Sequence, residues 1–161
     1  MRKRPAARLI VLNPEDSVLL FHFVFTEGPL SGTAYWATPG GALVDGESYR
    51  RAARRELYEE TGIVEAIGEE IAQRTIEFRI ADGDFVSADE RYFMVRVAGN
   101  AINQEMQEPL EASVMKAYRW WRVAELKSTS AIIYPEDLAQ IVEQQIGHVD
   151  DAERHGTTTP T

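Results

Sequence analysis

The chain has 161 residues, 44% of them apolar, which suits one globular domain with a real core and excludes a disordered chain. It carries 26 acidic against 17 basic residues, a formal charge of −9, which argues against a surface that coats nucleic acid. No apolar run is long enough to span a bilayer, and with no cysteine there is neither a disulfide framework nor a thiolate metal site, a composition compatible with the cytoplasm.

The opening residues, MRKRPAARLIVL, are basic but lack the small-residue cleavage site of a secretory signal. Ala7 to Asn13 reads as a strand, Asn13 to Asp16 as a turn, and Ser17 to Phe25 as a second strand, the pair forming a hairpin. A Gly/Pro/Ser loop from Glu27 to Thr33 leads to a short strand at Trp36 to Thr38, and Ala42 to Val44 is extended before a turn at Asp45-Gly46.

A helix is predicted from Ser48 to Thr61. Asp45, Glu47 and Ser48 supply capping and first-turn acidic character, Ala52, Ala53, Glu56 and Leu57 are strong helix formers, and Gly62 stands where a left-handed cap is favoured. Tyr49, Ala53 and Leu57, four apart, are expected to face the core. Further strands are expected at Ile71 to Ile80, Arg91 to Val97 and Ala117 to Val123. A C-terminal helix from Pro135 to Ile146 carries Leu138, Ile141, Val142 and Ile146 on one stripe. Residues 1–147 form one domain in this reading, and 148–161 a polar, disordered tail.

The segment GALVDGESYRRAARRELYEETGI, residues 41 to 63, carries the chemistry. Glu56, Glu59 and Glu60 stand at i, i+3 and i+4, so a helix would bring all three carboxylates to one face. They repel one another unless a cation compensates, and oxygen ligands of this kind suit Mg²⁺ or Mn²⁺, whose natural client is a phosphate ester. Gly40 and Gly41 lack side chains, so their backbone can approach a ligand or lend a carbonyl to a metal. In isolation, an acidic helix face is usually just solvated, and Arg55 would be a surface ion-pair partner worth little. The two tryptophans Trp120 and Trp121 point to opposite faces if they lie on a strand, so core packing is the better reading for one of them.

Gly41, five residues, Glu47, seven residues, then Arg55-Glu56-Leu57-x-Glu59-Glu60-x-Gly62-Ile63 resembles the Nudix box at every specified position, and the preceding Trp36 to Gly41 looks like the family's usual lead-in. The resemblance implies an α/β fold, an α/β/α sandwich with a mixed β-sheet and a loop-helix-loop. It also implies a MutT-like pyrophosphohydrolase in which water, activated at Mg²⁺ or Mn²⁺, attacks a phosphorus of a nucleoside diphosphate linked to another group. By position, Gly40 would offer a backbone carbonyl and Glu56, Glu59 and Glu60 their side chains to the metal, while Glu47 and Arg55 brace loop and helix. Gly41 and Gly62 would be structural. Family members often add an acidic residue from a later loop. Glu105, Glu108 and Glu111 are the candidates, with Glu111 preferred for its distance to the Arg119-Trp120-Trp121 segment and Asp89 and Glu90 in reserve. Arg79 and Arg91 are candidates to hold substrate phosphates.

The resemblance leaves the substrate open. The region after the box, Thr75 to Ile80, lacks the downstream proline common in ADP-ribose hydrolases and the tyrosine common in diadenosine polyphosphate hydrolases. The default expectation is therefore a nucleoside triphosphate or related nucleotide. The alternatives are ADP-ribose or a nucleotide sugar, or a sensor of the same fold without turnover. The partner expected is a small nucleotide, with no stable nucleic-acid or membrane binding; homodimers occur in the family.

Overall fold

The computed structural model describes residues 2–79, 82–107 and 113–157, with side chains in the last stretch described through 147. Eight strands form one mixed sheet: β1 (Arg2–Leu12), β2 (Val18–Val24), β3 (Ala34–Ala37), β4 (Gly40–Ala42), β5 (Glu70–Arg79), β6 (Phe85–Arg96), β7 (Met115–Trp121) and β8 (Ile133–Tyr134). Helix α1 (Tyr49–Thr61) follows β4, while α2 (Val123–Ser128) and α3 (Leu138–Thr157) flank β8. The spatial order is β5-β6-β1-β2-β3-β8, with β4 added on β1 and β7 on β2.

β1 organises the sheet. It runs parallel to β6 along its whole length, from Arg2 opposite Val86 to Leu12 opposite Arg96. Its other edge is shared between two strands: β4 pairs with Ala6 to Arg8, and β2 meets β1 only at Leu12 and Val18. The expected β1–β2 hairpin is thus confined to its turn, because β2 leaves to pair with β3 and β7.

Alternation along β1 sends Ala7, Leu9 and Val11 to one face and Ile10 and Leu12 to the other. The first face packs on Ala52, Ala53 and Leu57 of α1, the second on Leu126 of α2 and Leu138, Ile141 and Val142 of α3. One helix layer on each face of a mixed sheet is the α/β/α sandwich expected from the sequence. Tyr49, Ala53 and Leu57 do face the core, and so do Leu138, Ile141, Val142 and Ile146. Trp120 and Trp121 pack on opposite faces, Trp121 being the buried one.

Several boundaries differ from expectation. β1 begins at Arg2, not Ala7, and β6 at Phe85, not Arg91. The start of β1 is basic, Arg2-Lys3-Arg4, and the β6 extension alternates buried Val86 and Ala88 with polar Ser87 and Asp89 before the buried Glu90; the parallel ladder holds the two together. The short elements α2 and β8 have no periodic signature of their own. The C-terminal helix starts at Leu138 and continues to Thr157, past the expected end at Ile146. No proline interrupts the sequence between Leu138 and Thr157. Among the described residues, no helix is long and apolar enough to cross a membrane.

Leu57 is fully buried between α1 and the sheet. Leu57→Ala is expected to cost about 2–5 kcal/mol in urea denaturation. A loss below about 1 kcal/mol would contradict this packing.

Candidate active site

Helix α1 is bounded by its own sequence. The Ser48 side chain accepts from the Arg51 N–H at 3.2 Å, and Gly62, at φ 72°, donates its N–H to the Tyr58 carbonyl at 2.8 Å. The helix has no basic residue in its last turn, yet Glu59 and Glu60 stand there. Their charges add to the negative end of the helix dipole, an arrangement unfavourable without a compensating cation.

Part of that compensation is Arg55. Its Nε donates to Glu47 Oε2 and one terminal nitrogen to Glu47 Oε1, both at 2.9 Å, in a bidentate pair. The same nitrogen reaches the Ala42 carbonyl at 3.0 Å. The other donates to Glu56 Oε1 at 2.9 Å and Glu59 Oε2 at 3.3 Å. Glu47 also accepts from the Val44 N–H at 3.1 Å, closing the loop before the helix. The hydrogen bonds to Glu47, reinforced by the charge and hydrogen bond of Glu56, raise the Arg55 pKa above its ordinary value. Reciprocally, the Arg55 hydrogen bond holds Glu47 below the ordinary glutamate range. One guanidinium thus joins the loop of β4 to three of the four box glutamates.

Glycine makes this proximity possible. A Cβ on Gly41 would lie 2.5 Å from Glu56 Oε1, so only a residue without a side chain lets that carboxylate sit against the loop. Gly40 has φ 143°, and a Cβ there would meet the Ala7 carbonyl oxygen at 2.2 Å. Its N–H donates to Glu60 Oε2 at 3.3 Å.

Glu56 and Glu60 are 5% and 2% exposed, and the side chain of Glu59 is 24% exposed. Glu56 Oε2 is buried with no hydrogen-bonding partner among the described residues. A buried carboxylate oxygen without a donor is costly. It is also the lone pair that a cation would use, so the donor set fits a hard divalent ion. Among the described residues, no three acidic or histidine side chains converge tightly enough to hold a metal as they stand. Glu56 and Glu59 instead share one terminal nitrogen of Arg55, at 2.9 and 3.3 Å.

Glu105 is exposed in a segment tied to the end of α1, where the Asn103 N–H donates to the Thr61 carbonyl at 2.8 Å and Asn103 packs on Gly62. Glu108 and Glu111 lie outside the described residues. Asp89 accepts from the Tyr49 hydroxyl at 3.1 Å. Glu90 is buried, taking Arg8 Nε at 2.8 Å and the Tyr92 hydroxyl at 3.1 Å. Burial alone would lower the Arg8 pKa, but the adjacent Glu90 charge overturns this and raises it. Arg91 lies over the Tyr49 ring at 4.2 Å, beside the first turn of α1. Arg79 lies over Phe85, opposite it in the β5–β6 ladder, and makes none of the contacts of the carboxylate cluster.

Sequence reasoning missed the arginines of β1. Arg4 lies within electrostatic reach of Glu56, and Arg8 of Glu60. Their spacing of four along a strand, placing both on one face, was the available signal, hidden by starting the strand at Ala7.

The family model described as NUDIX domain matches residues 2–144. The RNA pyrophosphohydrolase of Rickettsia bellii is 26% identical over 149 residues, covering 82% of this chain and 81% of that one. The RNA pyrophosphohydrolase of Mesorhizobium japonicum is 29% identical over 132 residues, covering 74% and 75%. Among solved structures, the MutT protein from Methanosarcina mazei superposes with a TM-score of 0.63 at 18% identity, covering 89% of this chain and 92% of that one. The NUDIX domain of Shewanella oneidensis NrtR, complexed with ADP ribose, gives 0.60 at 19% identity, covering 92% and 90%. At such identities the structures establish the fold.

The two glycines should separate stability from chemistry. Gly40→Ala clashes with backbone and is expected to destabilise by more than about 1 kcal/mol. Gly41→Ala meets only the movable end of Glu56, so its melting temperature should stay near wild type while turnover falls on the order of 100-fold. Equal thermal losses in the two variants would refute the distinction. The Glu47–Arg55 link should also fail in acid. Because the Glu47 pKa is depressed by folding, its contribution is present above the ordinary value of 4.5 and is lost as pH falls through the depressed value. A pH titration of Glu47→Gln should show a stability deficit at neutral pH that vanishes in that window.

Proposed function

The chain belongs to the Nudix family as a pyrophosphohydrolase, and from that premise we propose that it cleaves, with Mg²⁺ or Mn²⁺, a diphosphate bond in a nucleotide bearing a 5′-triphosphate. The class comprises free nucleoside triphosphates and the 5′ end of RNA, the latter suggested by the name its sequence relatives carry. A net charge of −9 disfavours extended nucleic-acid contact but not capture of one phosphorylated end. ADP-ribose remains the alternative; the ADP-ribose complex of a structural neighbour bears on fold alone.

The observation that carries the metal reading is Glu56 Oε2, buried and without a donor in a cluster where one arginine faces Glu47, Glu56 and Glu59. Glu56, Glu59 and Glu60, with the Gly40 carbonyl, would hold the ion. Such an ion supplies charge neutralisation at the phosphoryl oxygens and lowers the pKa of bound water. The residues of the chain do the rest. Arg55 fixes the angle between loop and helix, and Glu60 holds the Gly40 N–H. Glu59, the most exposed of the three, is the carboxylate an incoming water reaches, and its oxygen takes the proton as the water oxygen bonds to phosphorus. The bond from that phosphorus to the bridging oxygen breaks, and the leaving phosphate or diphosphate departs with the electron pair.

Release of phosphate or pyrophosphate should be measured from nucleoside triphosphates, 5′-triphosphorylated RNA, ADP-ribose and dinucleoside polyphosphates, with Mg²⁺ and with chelator. The expected result is chelator-sensitive turnover, reduced at least about 100-fold in Glu59→Gln and Glu60→Gln while both variants remain folded. Turnover unaffected by chelator or by both substitutions would overturn the assignment.

A further inference from the structure

Arg8 stands where three strands meet. Its register partner on β6 is Tyr92, and its register partner on β4 is Gly40. Strand alternation puts Arg8, Glu90 and Tyr92 on one face of the β1–β6 ladder. Arg8 Nε donates to Glu90 Oε2 at 2.8 Å, and the Tyr92 hydroxyl donates to Glu90 Oε1 at 3.1 Å. Both Glu90 oxygens are therefore engaged, and Glu90 and Tyr92 are buried.

Stability alone explains such a group poorly. A buried ion pair can often be replaced by apolar side chains of similar volume without loss, because desolvation offsets the attraction. The other edge of β1 gives the pair a use. A Cβ built on Gly40 would lie 2.8 Å from Arg8 Cδ, so the Arg8 stem fills the place that a side chain at Gly40 would take. On its other flank, the Gly40 N–H donates to Glu60 Oε2 at 3.3 Å. Gly40 is thus held between a carboxylate of α1 and the stem of an arginine whose head group is tied to Glu90. Glycine has the least backbone restraint of its own, and at φ 143° the orientation of this peptide must come from its surroundings.

We propose that Arg8 is a positioning residue: locked by Glu90 and Tyr92, it acts with Glu60 to fix the Gly40 peptide whose carbonyl is assigned to the cation. The inference rests on the metal reading of the glutamate face, but the grip itself is a property of the metal-free chain.

The test removes the polar group as a unit. The triple variant Arg8→Met/Glu90→Leu/Tyr92→Phe keeps apolar bulk at all three positions and leaves no charge unpaired, so it should fold with a melting temperature near wild type. Amide hydrogen exchange of the metal-free protein is then followed by NMR. The Gly40 amide should exchange at least about tenfold faster than in wild type, while amides of the β1–β6 ladder keep their rates. A merely structural role would speed both sets alike, and that result, or an unchanged Gly40 rate, would overturn the proposal. Mn²⁺ affinity, read from the free-ion signal in electron paramagnetic resonance, should fall at least about tenfold in the same variant. Equal affinity alongside faster exchange would also overturn it, since the grip would then serve no cation. Wild type that binds no Mn²⁺ would refute the metal reading instead, and the exchange rates would still judge the grip. Should the triple variant fail to fold, Tyr92→Phe, which spares the ion pair and removes one bond to Glu90, takes its place. Its Gly40 amide should then exchange about threefold faster, and an unchanged rate would contradict the proposal.

Discussion

The site depends on one guanidinium held among more negative charge than it can neutralise. Arg55 reaches Glu47, Glu56, Glu59 and the Ala42 carbonyl, and so connects the loop after β4 to the exposed side of α1. Without it, the carboxylates at the negative end of the helix would repel one another and the loop would lose its tie to the helix. With it, Glu56 Oε2 is still buried without a hydrogen-bonding partner among the described residues. A buried carboxylate oxygen left without a donor is poor for stability alone, and it is what a cation-dependent site requires.

The sheet supplies the platform for this cluster. β1 carries β6 on one edge and β4 on the other, so the same strand that packs Ala7, Leu9 and Val11 against α1 also positions Gly40 and Gly41 beside the helix. Gly41 has no side chain where Glu56 must sit, and Gly40 none where β1 passes. On the same strand, Arg8 donates to the buried Glu90, which also accepts from the Tyr92 hydroxyl.

The parts of the fold legible in the sequence were those where periodicity, capping and apolar pattern agree. α1 was readable from Ser48, Ala53, Leu57 and Gly62, and the stripe of α3 from Leu138, Ile141 and Val142. The box glutamates were readable because their offsets coincide with the helical repeat, which the structure uses to place Glu56 and Glu59 on one guanidinium. The beginnings of β1 and β6 were not readable, because Arg2, Arg4 and Glu90 are polar residues ordered by strand pairing between distant segments. Hydropathy cannot report a ladder formed across the chain. For the same reason, the basic end of β1 carries no strand signature of its own, although it is part of the sheet beside the site.

The central claim is that the glutamate face of α1, with Glu56 at its centre, is built to hold a divalent cation. Titration of Mn²⁺ into the protein, followed by loss of the free-ion signal in electron paramagnetic resonance, tests it without any substrate. The account predicts saturable binding to wild type that is weakened at least about tenfold in Glu56→Gln, with both proteins equally folded. Binding of equal strength in the two proteins, or none in wild type, would contradict it.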